Sequence, residues 1–228
     1  MILTQESRVS IQRYKLYYEE LEDVRLKFEE GTRDLNAHLE HFRRQLSKDV
    51  PDQIKKFENA VKFVGERKYF EAVEEFKLLA GLGLPEAQYN LAILNLNGLG
   101  TPKNFKNALY WSWYAYLNNH ETAFDQVETI YQSITEALRD NVANQVIEEL
   151  LSLANGGDQL STLKLGQTYM QLLVVPDYKS AYVWLSIAQA YGLEGVNDLL
   201  ENATKQLTLE EVLKQQDEAA TTFGTINP

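Results

Sequence analysis

The residues best suited to bind a metal ion are two histidines three positions apart, His38 and His41, with Glu40 beside them. Side chains three apart share one face of a helix, so both imidazoles could reach one cation. Structural zinc needs four ligands, however, and no further cluster of ligating residues accompanies the pair. We therefore predict no metal site and interpret the histidines as part of a solvent-exposed helix.

Acid–base chemistry would need two carboxylates converging on one substrate atom. The candidate pairs, Glu19-Glu20, Glu29-Glu30 and Glu74-Glu75, are adjacent in the sequence. Neighbouring residues on a helix point in different directions, so these pairs cannot converge. With no nucleophile or base set elsewhere, the sequence predicts a protein that is not an enzyme.

Two short segments have a local structural interpretation. Gly98-Leu-Gly100-Thr101 resembles a phosphate-binding loop, but it follows a predicted helix rather than a strand and lacks the lysine of that motif. We interpret it as a turn between helices and predict no cofactor. His120 follows Asn119 in another predicted turn, where a polar residue is expected to cap the next helix.

Aromatic residues are abundant, with thirteen tyrosines, nine phenylalanines and three tryptophans. Trp111 and Trp184 occupy matching positions in two predicted helices, which favours burial between helices. Trp113, Tyr114 and Tyr116 exceed what one helix face can bury, so they indicate a contact surface. A cleft for a glycan or another small ligand of the cell envelope is the alternative function that this surplus suggests.

Composition excludes several classes of protein. The 228 residues carry 33 acidic and 22 basic side chains, a net charge of −11, so nucleic acid is not an expected partner. No apolar run is long enough to cross a bilayer, and we expect no membrane insertion. The absence of cysteine favours the cytoplasm, or the periplasm if a leader has been removed.

A recurring helix pattern places an aromatic residue three positions before an alanine, at Ala72, Ala108 and Ala181. These alanines are separated by 108 − 72 = 36 and 181 − 108 = 73 residues, and a weaker copy at Val146 divides the longer interval. A period of this length is typical of repeats made of two helices.

A second pattern pairs a small residue with a larger one four positions later: Ala87 with Leu91, Ala123 with Val127, and Ser161 with Leu165. Residues four apart share a helix face, and the small one allows a neighbouring helix to come close. The pattern therefore predicts a helix–helix interface.

These two patterns together resemble the Sel-one-like repeat, a branch of the tetratricopeptide-like solenoids. Its residues run from Ala87-Gln-Tyr-Asn-Leu91 through Gly98 and Gly100 to Ala108 and Trp111, and again from Ser161 to Ala188. The chain departs from the repeat at Ala92 and Asn95, and after Tyr169, where Leu172-Leu-Val-Val-Pro176 replaces the Gly-x-Gly turn. The resemblance implies an all-α, right-handed α-solenoid of antiparallel helix pairs.

The flanks complete the predicted organisation. Apolar spacing within residues 4–48 indicates an N-terminal helical hairpin, residues 1–50, that either caps the solenoid or serves for docking, including homodimerisation. Residues 51–205 form the predicted solenoid, and residues 206–228 a last helix with a frayed tail. Thr208-Leu-Glu-Glu211 has the pattern of a capping box, and the helix it starts is expected to end near Ala220.

The resemblance also implies the function, which is that of a bacterial scaffold or adaptor. Such repeats usually bind a peptide or partner protein on the concave face, formed by the first helix of each pair. By analogy, the partner-binding positions are Tyr89, Ile93, Asp125, Thr129, Gln132, Gln167, Met170 and Gln171. Most of these side chains are polar and uncharged, which suits hydrogen bonding to an extended backbone.

Overall fold

The computed structural model describes residues 52–227, and the predicted N-terminal hairpin lies outside them. The described residues form ten helices and no strand, which confirms the all-α prediction. The right-handed sense and the antiparallel pairing stay predictions. The helices are α1 (52–65), α2 (Tyr69–Gly81), α3 (Pro85–Asn97), α4 (Phe105–Leu117), α5 (Ala123–Tyr131), α6 (Glu136–Asn155), α7 (Gln159–Gln171), α8 (Tyr178–Ala190), α9 (Val196–Lys205) and α10 (Leu209–Ile226).

The chain divides into two compact units, and the division falls within α4. The described part of the first unit comprises residues 52–104 and 114–121, and that of the second comprises residues 105–113 and 122–227. The predicted domain boundaries at residues 50 and 205 stay predictions.

In the first unit, α2 packs against α3 and also contacts α1. The rings of Phe57 and Phe76 meet edge to face with their centroids 5.7 Å apart, and both side chains are buried. Ala72 and Leu79 are buried on the same side of α2. One face of α2 thus packs in the core of this unit.

The turn after α3 depends on two glycines. Gly98 and Gly100 have φ angles of 68° and 72°, in the left-handed region that favours glycine. A Cβ on Gly100 would lie 2.1 Å from the carbonyl oxygen of Tyr69, at the start of α2. Backbone therefore packs directly on backbone here, and the segment forms the predicted turn between α3 and α4.

In the second unit, α7 packs between α6 and α8, and α8 also contacts α9 and α10. A Cβ on Gly166 would lie 2.4 Å from the Cγ of Leu185, so the absent side chain lets α7 and α8 approach closely. Ala108, Val146 and Ala181 are all fully buried, as their repeating position predicts.

The helix pair α5 and α6 is unequal in length, with nine residues in α5 and twenty in α6. The longer helix begins after Thr135, whose hydroxyl accepts a hydrogen bond from the amide of Leu138 at 3.2 Å. Here the buried position of the repeat is occupied by Val146 rather than by alanine. This helix pair is therefore divergent in helix length as well as in sequence.

The last helix confirms the capping box but corrects the predicted end. Thr208 and Glu211 each accept a hydrogen bond from the other's backbone amide. The helix continues to Ile226, beyond the predicted end near Ala220, so the prediction of a frayed tail from residue 221 is wrong for the described residues. Phe223 packs on Tyr191 with ring centroids 5.3 Å apart, and Asn227 donates to the Tyr191 hydroxyl at 2.7 Å.

Candidate functional site

The predicted partner-binding residues lie on three helices that share one pattern of burial. In α3, α5 and α7, the small residue and the larger residue four positions later are buried. Since successive residues are about 100° apart around a helix, the opposite side of each helix is left open. The buried residues are Ala87 and Leu91, Ala123 and Val127, and Ser161 and Leu165.

In the first unit, Tyr89 and Ile93 lie on the open side of α3, and both are half-buried. The ring of Tyr89 stacks on that of His120 with centroids 4.1 Å apart and planes 14° apart. His120 does not cap α5 as predicted, because Thr122 occupies the N-cap position and no side chain caps that end. One face of Tyr89 is therefore occupied by an aromatic neighbour within the unit.

In the second unit, α5 presents Asp125, Thr129 and Gln132, and all three are exposed. The Thr129 hydroxyl donates to the carbonyl of Asp125 at 2.9 Å. The side chains of Asp125 and Gln132 make no hydrogen bond to other described residues. This face therefore offers an uncommitted carboxylate and an uncommitted amide.

Helix α7 presents two of its three predicted residues, Gln167 and Gln171, which are half-buried. Met170 is only 6% exposed and packs in the core with Leu185 and Val196. Because both α8 and α9 contact α7, the side of α7 that carries Met170 is covered. Met170 belongs to the core, which corrects its assignment to a binding face.

The open side of α7 also carries two residues that the repeat patterns do not single out. Leu160 is 54% exposed and Lys164 is half-buried, and they precede Gln167 and Gln171 at helical spacing. Burial lowers the pKa of the Lys164 ammonium, while Asp158 acts in the opposite direction. The same i, i+4, i+7 spacing that marks an amphipathic helix could have identified both residues.

Arg139 joins the C-terminal ends of α5 and α7, a role that no local sequence signal indicates. Its guanidinium donates to the carbonyls of Gln171, Leu172 and Leu173 at 2.8–3.0 Å. It also lies 3.8 Å from the ring centroid of Tyr131, whose hydroxyl donates to Gln171 at 3.2 Å. The last carbonyls of a helix lack partners within it, and Arg139 supplies them.

The next residue, Asp140, fixes the same segment, because its carboxylate accepts from the amide of Val174 at 2.9 Å. These bonds hold the stretch from Leu172 to Pro176 that stands in place of a Gly-x-Gly turn. The ends of the open faces of α5 and α7 are therefore linked by hydrogen bonds.

The predicted aromatic contact surface is not supported at its central residue. Trp113 is fully buried, and its indole N–H donates to the hydroxyl of Thr168 at 3.1 Å. Trp184 is buried as predicted, whereas Trp111 is only half-buried. The aromatic surplus therefore gives no basis for a glycan cleft.

Within residues 52–227, no group of three histidine or acidic side chains is placed to hold a metal ion. His38 and His41 lie outside the described residues. Nor does any helix between residues 52 and 227 have the length and apolar character needed to cross a membrane.

The model of the Sel1 repeat matches residues 85–112 and 160–188. The chain contains two Sel1 repeats. Each match begins on a helix with an open face, α3 or α7, and ends on the helix that follows. Sel1 repeats generally act as protein-interaction scaffolds and are typically not enzymes.

Two solved structures with such repeats are similar to this chain. One is a protective antigen of uropathogenic Escherichia coli strains that displays an SLR fold. It is 21% identical, the match covers 67% of this chain and 40% of the antigen's chain, and the TM-score is 0.29. The other is a Sel1 repeat protein from Oxalobacter formigenes. It is 20% identical, the match covers 68% of this chain and 46% of that protein's chain, and the TM-score is 0.26. The matched region thus spans less than half of either protein. No curated protein matches the chain.

Proposed function

We propose that the protein is a scaffold that binds an extended segment of a partner protein along the open faces of its repeat helices. The observation that carries the proposal is a set of three uncommitted polar side chains in the second unit, two of them from α5 and its C-cap and one from α7. Asp125, Gln132 and Gln167 make no side-chain hydrogen bond to other described residues, although their helices are packed on the opposite side.

The chemistry of these side chains suits a peptide backbone. A glutamine amide both donates and accepts, so it can pair with a backbone N–H and C=O together. Residues four apart on a helix are about 6 Å apart along its axis. Alternate residues of an extended peptide repeat at about 6.7 Å, so the spacing of residues four apart on α7, starting from Gln167, matches one edge of such a peptide.

Charge and rigidity add to this match. Asp125 and Glu128 are exposed on α5, whereas Lys164 is the cation on the open side of α7. A partner segment with a basic residue toward α5 and an acidic one toward α7 would complement both. Because Arg139 fixes the ends of the two helices, less freedom is lost on binding.

The test compares two pairs of amide substitutions in affinity capture. Gln132→Ala with Gln167→Ala removes the proposed contacts, and Asn141→Ala with Asn144→Ala removes two exposed amides from α6. We expect the first pair to weaken partner binding about tenfold, since each hydrogen bond contributes about 0.5–1.5 kcal/mol. The control pair should have no effect.

Equal binding by both variant pairs would rule out this face as the binding site. We also propose that the protein acts in the cytoplasm. Fractionation of cells tests this location, and mass spectrometry of the captured material identifies the partner.

A further inference from the structure

Helix α2 exposes large apolar side chains on the side away from its core. Phe70 and Leu78 on α2 are 66% and 60% exposed, and Leu82, directly after the last residue of α2, is 67% exposed. They are the only exposed large hydrophobic residues in the described part of the first unit. The opposite side of α2, with Ala72, Phe76 and Leu79, is already buried. We call the exposed set, residues 70, 78 and 82, the α2 apolar face.

The α2 apolar face has room for a partner helix near the C-terminal end of α2. Phe70 and Leu78 are two turns apart, and between them Glu74 pairs with Lys77 at 3.0 Å. Gly81 lies between Leu78 and Leu82, and no atom is within 4 Å of the position of a Cβ there. A partner helix can therefore approach the backbone of α2 closely at this point.

The charge around the face is negative. Glu71 and Glu74 are exposed, Glu75 is half-buried, and Lys77 is the neighbouring cation on the same helix. A helix that covers the face should therefore combine an apolar seam with an excess of basic residues.

We propose that the segment of this chain around residues 35–46 covers the α2 apolar face. Its sequence places Leu35, Leu39, Phe42 and Leu46 on one predicted helical side. Residues 33–48 carry Arg33, Arg43, Arg44 and Lys48 against Asp34 and Glu40, which gives the required basic excess.

Chain connectivity allows the contact. Phe57 precedes the end of α1 by eight residues, and Phe76 follows the start of α2 by seven, so their ring contact puts the start of α1 beside the end of α2. Leu78 and Leu82 lie at that end. Leu46 precedes residue 52, where α1 starts, by six positions, a reach of about 20 Å when extended.

A second copy of the chain is a less suitable occupant for the face. Pairing the face with itself would bring Glu71, Glu74 and Glu75 of two molecules together, which like-charge repulsion disfavours. The basic segment of the same chain meets no such penalty and is present at high effective concentration.

The test uses thiol reactivity, which is clean because the chain has no cysteine. Leu78→Cys and Leu153→Cys each place one thiol in the chain of residues 1–228, at positions whose native side chains are 60% and 51% exposed. We expect a maleimide to label position 78 at least tenfold more slowly than position 153.

Two double substitutions then identify the occupant. Adding Leu39→Asp with Phe42→Asp should raise the labelling rate at position 78 to that of position 153. Adding Ala37→Asp with His41→Asp introduces the same charge on the opposite side of the predicted helix and should leave the protection unchanged.

Three results would overturn the proposal. These are equal labelling of positions 78 and 153, protection that survives Leu39→Asp with Phe42→Asp, and protection that grows with protein concentration alongside a dimer in sedimentation. The last result would assign the face to a second copy. None of these results depends on the proposed function, because no partner protein is present.

Discussion

The two Sel1 repeats make the same connection between their helices by different means. Between α3 and α4, Gly98 and Gly100 provide a turn whose backbone conformation is specified by local sequence. Between α7 and α8, the stretch from Leu172 to Pro176 contains no glycine, and Arg139 of α6 holds it from 32–34 residues away. In the first repeat, two glycines set the backbone of a turn that packs on the start of α2. In the second repeat, a side chain of α6 holds the connection by hydrogen bonds.

The substitution with the largest expected effect disrupts the glycine turn between α3 and α4. Gly100→Ala places a Cβ 2.1 Å from the carbonyl oxygen of Tyr69 and forces a side chain into a left-handed conformation. We expect the free energy of unfolding to fall by about 3 kcal/mol, as overpacking and backbone strain combine. Urea denaturation followed by circular dichroism measures the loss.

Gly81→Ala is the matched control in the same unit, because nothing lies within 4 Å of the new Cβ and its φ is not positive. It should be neutral or stabilise the protein slightly, as alanine favours helix. If Gly100→Ala is as stable as Gly81→Ala, the local connection does not depend on glycine.

The substitution with the next largest effect removes the hydrogen bonds by which α6 holds the connection between α7 and α8. Arg139→Ala removes donors from three carbonyls and the stacking on Tyr131, and we expect a loss of about 2–3 kcal/mol. Arg139→Lys keeps the charge but not the forked geometry, so it should recover less than half of this loss.

Hydrogen exchange at the amide of Val174 reports the effect of Arg139 locally. It should quicken in both Arg139 variants, while exchange in the first unit stays unchanged. Unaltered exchange at Val174 would mean that the stretch holds its conformation without Arg139.

A substitution of smaller expected effect tests the close approach of α7 and α8 in the second Sel1 repeat. Gly166→Ala puts a Cβ 2.4 Å from the side chain of Leu185, which can shift because it is a flexible leucine rather than backbone. We expect a loss of about 1–2 kcal/mol in urea denaturation. Combining it with Leu185→Ala should recover part of that loss, and a fully additive double variant would show that the contact is not the cause.

The smallest expected effect comes from a change of pH at the connection between α9 and α10. This connection depends on a local capping box and on an ion pair with Lys179 of α8. The amide and hydroxyl of Thr208 and the ammonium of Lys179, 2.9 Å away, lower the pKa of the Glu211 carboxyl to about 2. A carboxylate with a lowered pKa stabilises the fold above its ordinary pKa of 4.5 and loses that contribution as the pH falls toward 2.

The pH dependence has a direct readout. The carboxyl carbon shift of Glu211 should titrate near pH 2 by NMR, and Glu211→Gln should remove its share of the acid-induced loss of stability. Titration of Glu211 near its ordinary pKa would show that the contacts with Thr208 and Lys179 do not persist in solution.

The sequence predicted what depends on local pattern and missed what depends on distant partners. Ala87, Ala123 and Ser161 are buried as their repeating spacing predicts, and the capping box at Thr208 forms. Arg139 gave no signal, because its partners are brought together only by packing. Sequence patterns place Met170 and Trp113 on surfaces, whereas both are buried in the structure. The periodicity of a single helix does not reveal when packing encloses a helix on several sides.

The central functional claim is that the open faces of α5 and α7 contact a partner protein, and site-specific photo-crosslinking in cells tests it most directly. A photoreactive residue at Gln167 should form a crosslink to a second protein, whereas the same residue at Asn144, exposed on α6, should not. Crosslinks of equal yield at both positions, or crosslinks at Asn144 alone, would contradict the account.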